Sequence, residues 1–297
     1  MHRTLALALA AALALPAAGA LAAPPSSAIV ASTPAAQLHA LFDQAWKQAH
    51  PKPSAEATDY RQLWGDPSVA YAQAQLAQAK ANLAALKRID VAKLDPNDQL
   101  SWRLFEYQLD DAIAAAAYPD DAQGLITQLW GPQLAGDETR GAHFDDAKGY
   151  TTLVHKLDAT GDYLAAFTER MRQAMAKGIT QPRVVMERVP DEIKANIVNN
   201  PTQSPFYAPF KKLPDSIPVA EQAKLQQQAQ AAITHVVNPA YAKFLAFFQD
   251  DYLPHARTTA SVSALPGGKA YYAYLVRHYT TTDMTPQQVH ALGLKLV

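Results

Sequence analysis

Cysteine is missing from the 297 residues. That excludes disulfides, thiol chemistry and lipid attachment to a cysteine at a processed N-terminus. Positive charge is not in excess: 26 Lys and Arg face 27 Asp and Glu. Such a balance does not gather phosphates, so a nucleic-acid partner is disfavoured. Glycine is scarce, at 12 residues, and β-branched runs are few, whereas Ala and Gln abound; this composition favours helix over sheet. No segment repeats at a fixed period, which argues against a solenoid of identical units. Neither a G-x-G-x-x-G nor a Walker pattern occurs, so nucleotide binding has no support. Ser204, Ser216, Ser261 and Ser263 lack the G-x-S-x-G elbow of a serine hydrolase.

What is present at the N-terminus has the layout of a secretory signal peptide. His2 and Arg3 precede an apolar run of Leu and Ala from Leu5 to Leu15, Pro16 breaks it, and small residues lead to Ala22 and Ala23. The run is too short for a stable membrane anchor. Ala20-Leu21-Ala22 is the expected recognition triplet, giving a signal peptide over 1–22 with cleavage near Ala22. Loss of Arg3 with it moves the formal charge from −1 to about −2. The mature chain is expected to be periplasmic or secreted, with no membrane segment after cleavage. A Pro- and Ser-rich spacer over 23–33 follows, and then one helical domain over 34–297.

Thr33-Pro34, Asp66-Pro67 and Asp95-Pro96 each place a capping residue before a proline whose missing N–H costs nothing in the first turn. The first predicts a helix with Leu38, Leu41, Phe42, Ala45 and Trp46 on one face. The second predicts a helix through Tyr71, Leu76, Leu83 and Leu86 to about Arg88. The third carries Leu100, Leu104, Tyr107 and the run Ala112 to Ala117. The stretch from Gly124 to Gly141 reads as a loop-rich connection. Two successive helices are expected between Phe144 and Lys177, broken near Thr160-Gly161 and closed by Gly178; a segment from Gln181-Pro182 is interrupted by Pro190. The stretch 199–218, with five prolines beside Phe206, Tyr207 and Phe210, reads as an ordered aromatic loop and the weakest internal boundary. Two long helices should follow, Val219 to about His235 and Pro239 to Leu253. The fold class is an all-α, irregular multi-helix array with room for one short strand pair.

His143-Phe144-Asp145-Asp146 matches no well-supported metal spacing, and its two carboxylates suit a helix cap. His155 and Asp158 lie one helical turn apart, as surface pairs often do; Asp110-Asp111 and Asp250-Asp251 point to different sides of a helix. The richer segment is Tyr271, Tyr272, Tyr274, Arg277 and His278, after the Leu265-Pro266-Gly267-Gly268 turn. As a helix it puts Tyr271, Tyr274 and His278 on one face; as a strand it pairs Tyr272 with Tyr274. Such residues either pack in a core or line a cleft in which hydroxyls and a guanidinium hold a carbonyl or carboxylate.

Thr285, Pro286 and Gln288 then spell a capping box, and Val289, Leu292 and Leu296 form an apolar stripe that should face a core. No glycine cap, proline stop or polar tail follows. The expectation is that the polypeptide is the front part of a longer protein.

The stretch LPGGKAYYAYLVRHYTTTDMTPQQVHALGL, with YLPHAR at Tyr252 to Arg257 and GITQPRVVMERV at Gly178 to Val189, resembles the bacterial domain of unknown function 885 family of exported proteins. The likeness covers the second half well and the first half by helical character alone; Tyr279 separates His278 from Thr280 where the family has an HTT-like turn. The resemblance implies an all-α zinc-peptidase-like architecture, with an H-E-x-x-H helix further along that would bind zinc and activate water. No His here is followed by Glu. The chain is therefore expected to hold no catalytic or metal residue and no cofactor, zinc belonging to the full-length protein. Tyr272, Tyr274, Arg277 and His278 are its expected substrate-binding residues, for a peptide. The other reading is a complete, non-enzymatic helical periplasmic protein that binds a peptide or partner.

Overall fold

The structure, a computed structural model, describes residues 33–54, 56–118 and 126–297. The signal peptide and nearly all of the spacer lie outside the described residues. The α-helices in chain order are α1 (Pro34–Ala49), α2 (Tyr60–Leu63), α3 (Val69–Leu86), α4 (Pro96–Ala115), α5 (Ala135–Arg140), α6 (Ala147–Asp158) and α7 (Thr160–Ala176). They continue with α8 (Arg183–Met186), α9 (Val189–Lys194), α10 (Val219–Ala232), α11 (Asn238–Phe247), α12 (Leu253–His255), α13 (Gly268–Thr280) and α14 (Pro286–Leu296). The all-α reading holds. In place of a strand pair, the described residues contain two isolated bridges, Thr127 with Trp130 and Pro182 with Arg257. No helix among them is long and apolar enough to cross a membrane.

The three Thr/Asp-Pro starts behave as their chemistry dictates, with one adjustment. Thr33 Oγ1 accepts from the Ala36 amide at 3.2 Å, and Asp95 Oδ1 accepts from Asn97 and Asp98 at 2.8 and 3.0 Å. At the second start Asp66 takes the Ser68 amide at 2.9 Å, and Ser68 Oγ in turn accepts from Tyr71 at 3.2 Å, so α3 begins at Val69.

The chain divides into two compact units. The smaller comprises the described part of Arg3–Pro51 and Ala77–Ile113. Its core is Leu38, Leu41, Ala45, Leu86, Ile89, Leu94, Phe105 and Leu109. Phe42 meets Phe105 edge-on at 5.2 Å, and Trp102 Nε1 donates to the Leu86 carbonyl at 3.0 Å. Buried Asn82 is satisfied by Gln78 Nε2 at 3.1 Å and Gln48 Oε1 at 3.3 Å. Trp46, expected on the apolar face of α1, is exposed and stacks on His50 at 3.8 Å. Leu100, Leu104 and Tyr107 are also exposed, because Phe105 and Leu109 set the inward phase of α4.

The larger unit comprises Lys52–Leu76 and Ala114–Val297. Its main core draws Tyr150 and Leu157 from α6, Phe167 and Met171 from α7, and Tyr241 and Phe244 from α11. Phe206, Tyr207 and Phe210 join that core from a 3-10 turn at Pro205–Lys211, which follows another at Pro201–Gln203, so the Pro-rich stretch is ordered and aromatic. Gly178, with φ of 72°, follows α7 as the expected stop. Pro190 opens α9 as its second residue, where a missing N–H is harmless, and does not interrupt it.

Pro239 does not begin a separate helix. The backbone stays helical from Val219 to His255, with π turns at Ile233–Val237 and Phe248–Tyr252. Asn238 N–H donates to the Ile233 carbonyl and Leu253 N–H to the Phe248 carbonyl. Each of these wide turns ends two residues before a proline, Pro239 or Pro254. A proline has no N–H and its ring crowds the carbonyl four residues back; the wider turn moves that carbonyl aside, so the helix continues.

Candidate functional site

The segment around α13 is held by a reciprocal lock between two stretches distant in sequence. Arg183 N–H donates to the Arg257 carbonyl at 2.7 Å, and Arg257 N–H donates to Thr180 Oγ1 at 3.0 Å. Arg257 Nε donates to the Thr180 carbonyl at 2.8 Å, and its Nη1 donates to the Thr259 and Ser261 carbonyls at 2.6 and 2.8 Å. The Tyr252 hydroxyl accepts from the Gln181 amide at 3.0 Å; burial pushes its pKa up to about 12, so it stays a neutral phenol. Arg183 Nη2 reaches the Leu253 and Pro254 carbonyls at 3.2 Å each, capping the end of the long helix.

From Ser261 the chain passes through a 3-10 turn at Val262–Ala264 to the two glycines. Gly267 takes φ of 70°, and a Cβ on Gly268 would run into the Val262 carbonyl, so each glycine answers a different steric demand.

The segment after the glycines is a helix, α13. Tyr271 and Tyr274 are buried and pack with Ala115 and Tyr118. The Tyr118 ring lies 5.4 Å from Tyr271 and 5.3 Å from Tyr274, and Tyr271 and Tyr274 stack at 6.3 Å. His278 is half-buried on the same face, 5.8 Å from Tyr274 and 4.8 Å from Tyr279. Of the four expected substrate residues, Tyr274 is thus in a small core at 4% exposure and Tyr272 stands on the other face at 48%. Arg277 is exposed, its guanidinium carbon 5.9 Å from the Tyr274 ring centre. One face does not hold all four. Tyr118 went unnoticed in the sequence because nothing local marks a tyrosine after an alanine run as the partner of a helix far along the chain.

After α13 Thr281 turns left-handed, with φ of 54°, and its N–H donates to the Arg277 carbonyl at 2.8 Å. The capping box forms as expected: Thr285 Oγ1 accepts from Gln288 N–H at 3.2 Å, and Gln288 Oε1 accepts from Thr285 N–H at 2.8 Å. The stripe on α14 faces solvent among the described residues, with Leu292 and Leu296 exposed and Val289 half-buried.

Other candidates resolve into structural roles. Asp146 caps α6 through the Gly149 amide at 2.9 Å, and Asp251 lies 3.5 Å from Arg172. His155 and Asp158 line a shallow groove of about 330 Å³ with Thr151, Gln228 and His235. Burial raises the Asp158 carboxyl and the neighbouring His155 opposes that rise. Among the described residues no group of three or more His, Asp or Glu could hold a metal. A feature the sequence did not suggest is Lys156, whose carbonyl accepts from Trp64 Nε1 at 2.6 Å while its ammonium sits 4.1 Å over the same ring. Burial lowers the Lys156 pKa, and the more distant Glu138 raises it.

The family model described as "Bacterial protein of unknown function (DUF885)" matches residues 52–297. That reaches well before the quoted segments, which begin at Gly178. No curated protein matches the chain. Among solved structures, one described as a candidate lipoprotein from Colwellia psychrerythraea is similar in fold, at a TM-score of 0.67 and 18% identity. The similarity covers 89% of this chain and 49% of that one, so this chain spans about half the length of that relative.

Proposed function

The chain belongs to the DUF885 family of bacterial proteins, and we propose that it forms the N-terminal part of an exported, zinc-metallopeptidase-like protein, α13 supplying part of the wall that receives a peptide. The observation that carries this reading is the fold likeness, which uses 89% of this chain but 49% of a longer one. In that setting the solvent-facing Leu292 and Leu296 of α14 would meet helices of the second half. Export is supported by the N-terminal Leu/Ala run with its small-residue processing triplet.

The residues present do not fit a zinc site: no His precedes a Glu, and no metal-capable group occurs among the described residues. We therefore route no hydrolytic step through this chain and expect it to be inactive alone. The test assays the 297-residue chain, and any longer product of its gene, on mixed peptides with and without a chelator. Cleavage by the longer product alone, lost on chelation, is the expected outcome. Chelator-sensitive cleavage by the short chain overturns the reading. A reading frame with no H-E-x-x-H downstream would leave the non-enzymatic binding protein.

A further inference from the structure

α4 carries a stripe of large apolar side chains that stays exposed. Leu100, Leu104 and Tyr107 are 57%, 53% and 44% exposed. Their spacing, i, i+4 and i+7, puts them on one face, about half a turn around the axis from the buried Phe105 and Leu109. The stripe is thus the side of α4 turned away from the core of the smaller unit, where a second helix can approach. Asn97 and Asp111 hold the next positions of the same pattern and end the apolar run.

Spacing of this kind is the seam of a helix pair, in which apolar side chains of one helix fill the gaps of another. The charges beside the seam say which helix fits. Arg103 and Asp110 are exposed and flank the stripe on the same side, about 60 to 80° around the axis from Leu100. They are seven residues apart, about 10.5 Å along the helix, too far to answer each other. An antiparallel copy of α4 reverses their order, bringing its Asp110 beside Arg103 and its Arg103 beside Asp110. Leu104 then meets Tyr107 of the copy, and Tyr107 meets Leu104 of the copy. A parallel copy would set like charges level with each other.

We propose that this face of α4 pairs two copies of the chain, antiparallel about a two-fold axis between Leu104 and Tyr107. The occupant is a second copy because one helix supplies both the apolar seam and the complementary charges. The face is about three turns long and covers less than the roughly 800 Å² per partner of a standard interface, so the dimer is weak and concentration-dependent. The pairing is independent of the peptide-receiving role given to α13.

The test is sedimentation velocity on the 297-residue chain from about 1 to about 300 µM, with circular dichroism and Tm at low concentration as controls for folding. The wild type should pass from monomer to dimer across that range. Leu104→Glu should weaken the dimer at least about tenfold and leave Tm unchanged, since the residue is exposed. Arg103→Asp and Asp110→Arg should each weaken it about tenfold, and the two together should restore it, because both ion pairs are then reversed. A chain that stays monomeric to the top of the range overturns the proposal. So does a dimer that ignores Leu104→Glu, as one built through Leu292 and Leu296 of α14 would. A charge-reversed double variant no better than its singles overturns it as well. A lower Tm in Leu104→Glu would place that side chain inside the fold, with the same result.

Discussion

The carbonyl of Arg257 accepts a 2.7 Å hydrogen bond from the amide of Arg183, and this contact joins the two stretches GITQPRVVMERV and YLPHAR. Both carry the family likeness, and in the structure both are scaffold. Their arginines hold backbone carbonyls, Arg183 those of Leu253 and Pro254, and Arg257 those of Thr180, Thr259 and Ser261. The lock fixes where the chain leaves the long helix and so where α13 begins.

Arg257→Ala should therefore lower stability by about 2 to 4 kcal/mol, since several carbonyls lose a charged donor at once. Arg183→Ala, at a more exposed position, should cost about 1 kcal/mol. Urea denaturation followed by circular dichroism reads both. Equal, negligible effects would show that water replaces the guanidinium groups at no cost.

Asn238 makes a second long-range pairing. Its Oδ1 accepts from Val198 N–H at 3.1 Å and its Nδ2 donates to the Val198 carbonyl at 2.8 Å, a side chain standing in for a neighbouring strand. Asn238→Ala should cost about 2 to 3 kcal/mol in the same assay, and Asn238→Asp, which keeps only the acceptor, a smaller amount. Hydrogen exchange at the Val198 amide should accelerate in the alanine variant; unchanged protection would sever the link between the two residues.

Tyr274 shares its small core with Tyr271, Tyr118 and Ala115. Tyr274→Ala should lower stability by about 2 to 4 kcal/mol through the cavity it leaves, while exposed Tyr272→Ala should stay within about 0.5 kcal/mol. Reversed magnitudes would place the wrong face of α13 inward.

Glu192 predicts a pH dependence. Its Oε2 is buried without a hydrogen-bond partner, as is Oε1 of Gln133. Burial raises the Glu192 carboxyl and the Gln133 amide partly offsets that. The folded protein then holds the proton more tightly than the unfolded chain. Glu192's contribution is full below the ordinary carboxylate range and is lost as pH climbs through the raised folded value. Glu192→Gln keeps a neutral group there, so the variant should gain on the parent as pH climbs from the ordinary carboxylate range, about 4.3, through the raised folded value. A stability difference that is flat across that interval would refute this.

Much of the helical order is legible in the chain, because the signals are local. Thr33-Pro34, Asp95-Pro96, Gly178 and the Thr285 capping box each act within one turn of backbone. Facing is less legible. Leu100, Leu104 and Tyr107 have an apolar period yet point to solvent, because the inward phase of α4 depends on what Phe105 and Leu109 meet. The same holds at α13, where spacing groups Tyr271 with Tyr274 but cannot say that Tyr118 fills the space beside them. Pro239 misleads for another reason: a proline signals a helix start only if the turn before it cannot widen, and here it widens.

Those widened turns also govern rotation. On an uninterrupted α-helix, Leu225 and Tyr252 would project about 180° apart around the axis. Each π turn admits one extra residue, a lag of about 100°, and two of them bring the side chains back nearly into line. Both residues are in fact buried in the same core, at 3% exposure. Deleting one residue from a single π turn should therefore let that turn close to ordinary α geometry, with everything beyond it, including the point from which the basic, tyrosine-bearing helix departs, still facing the same way.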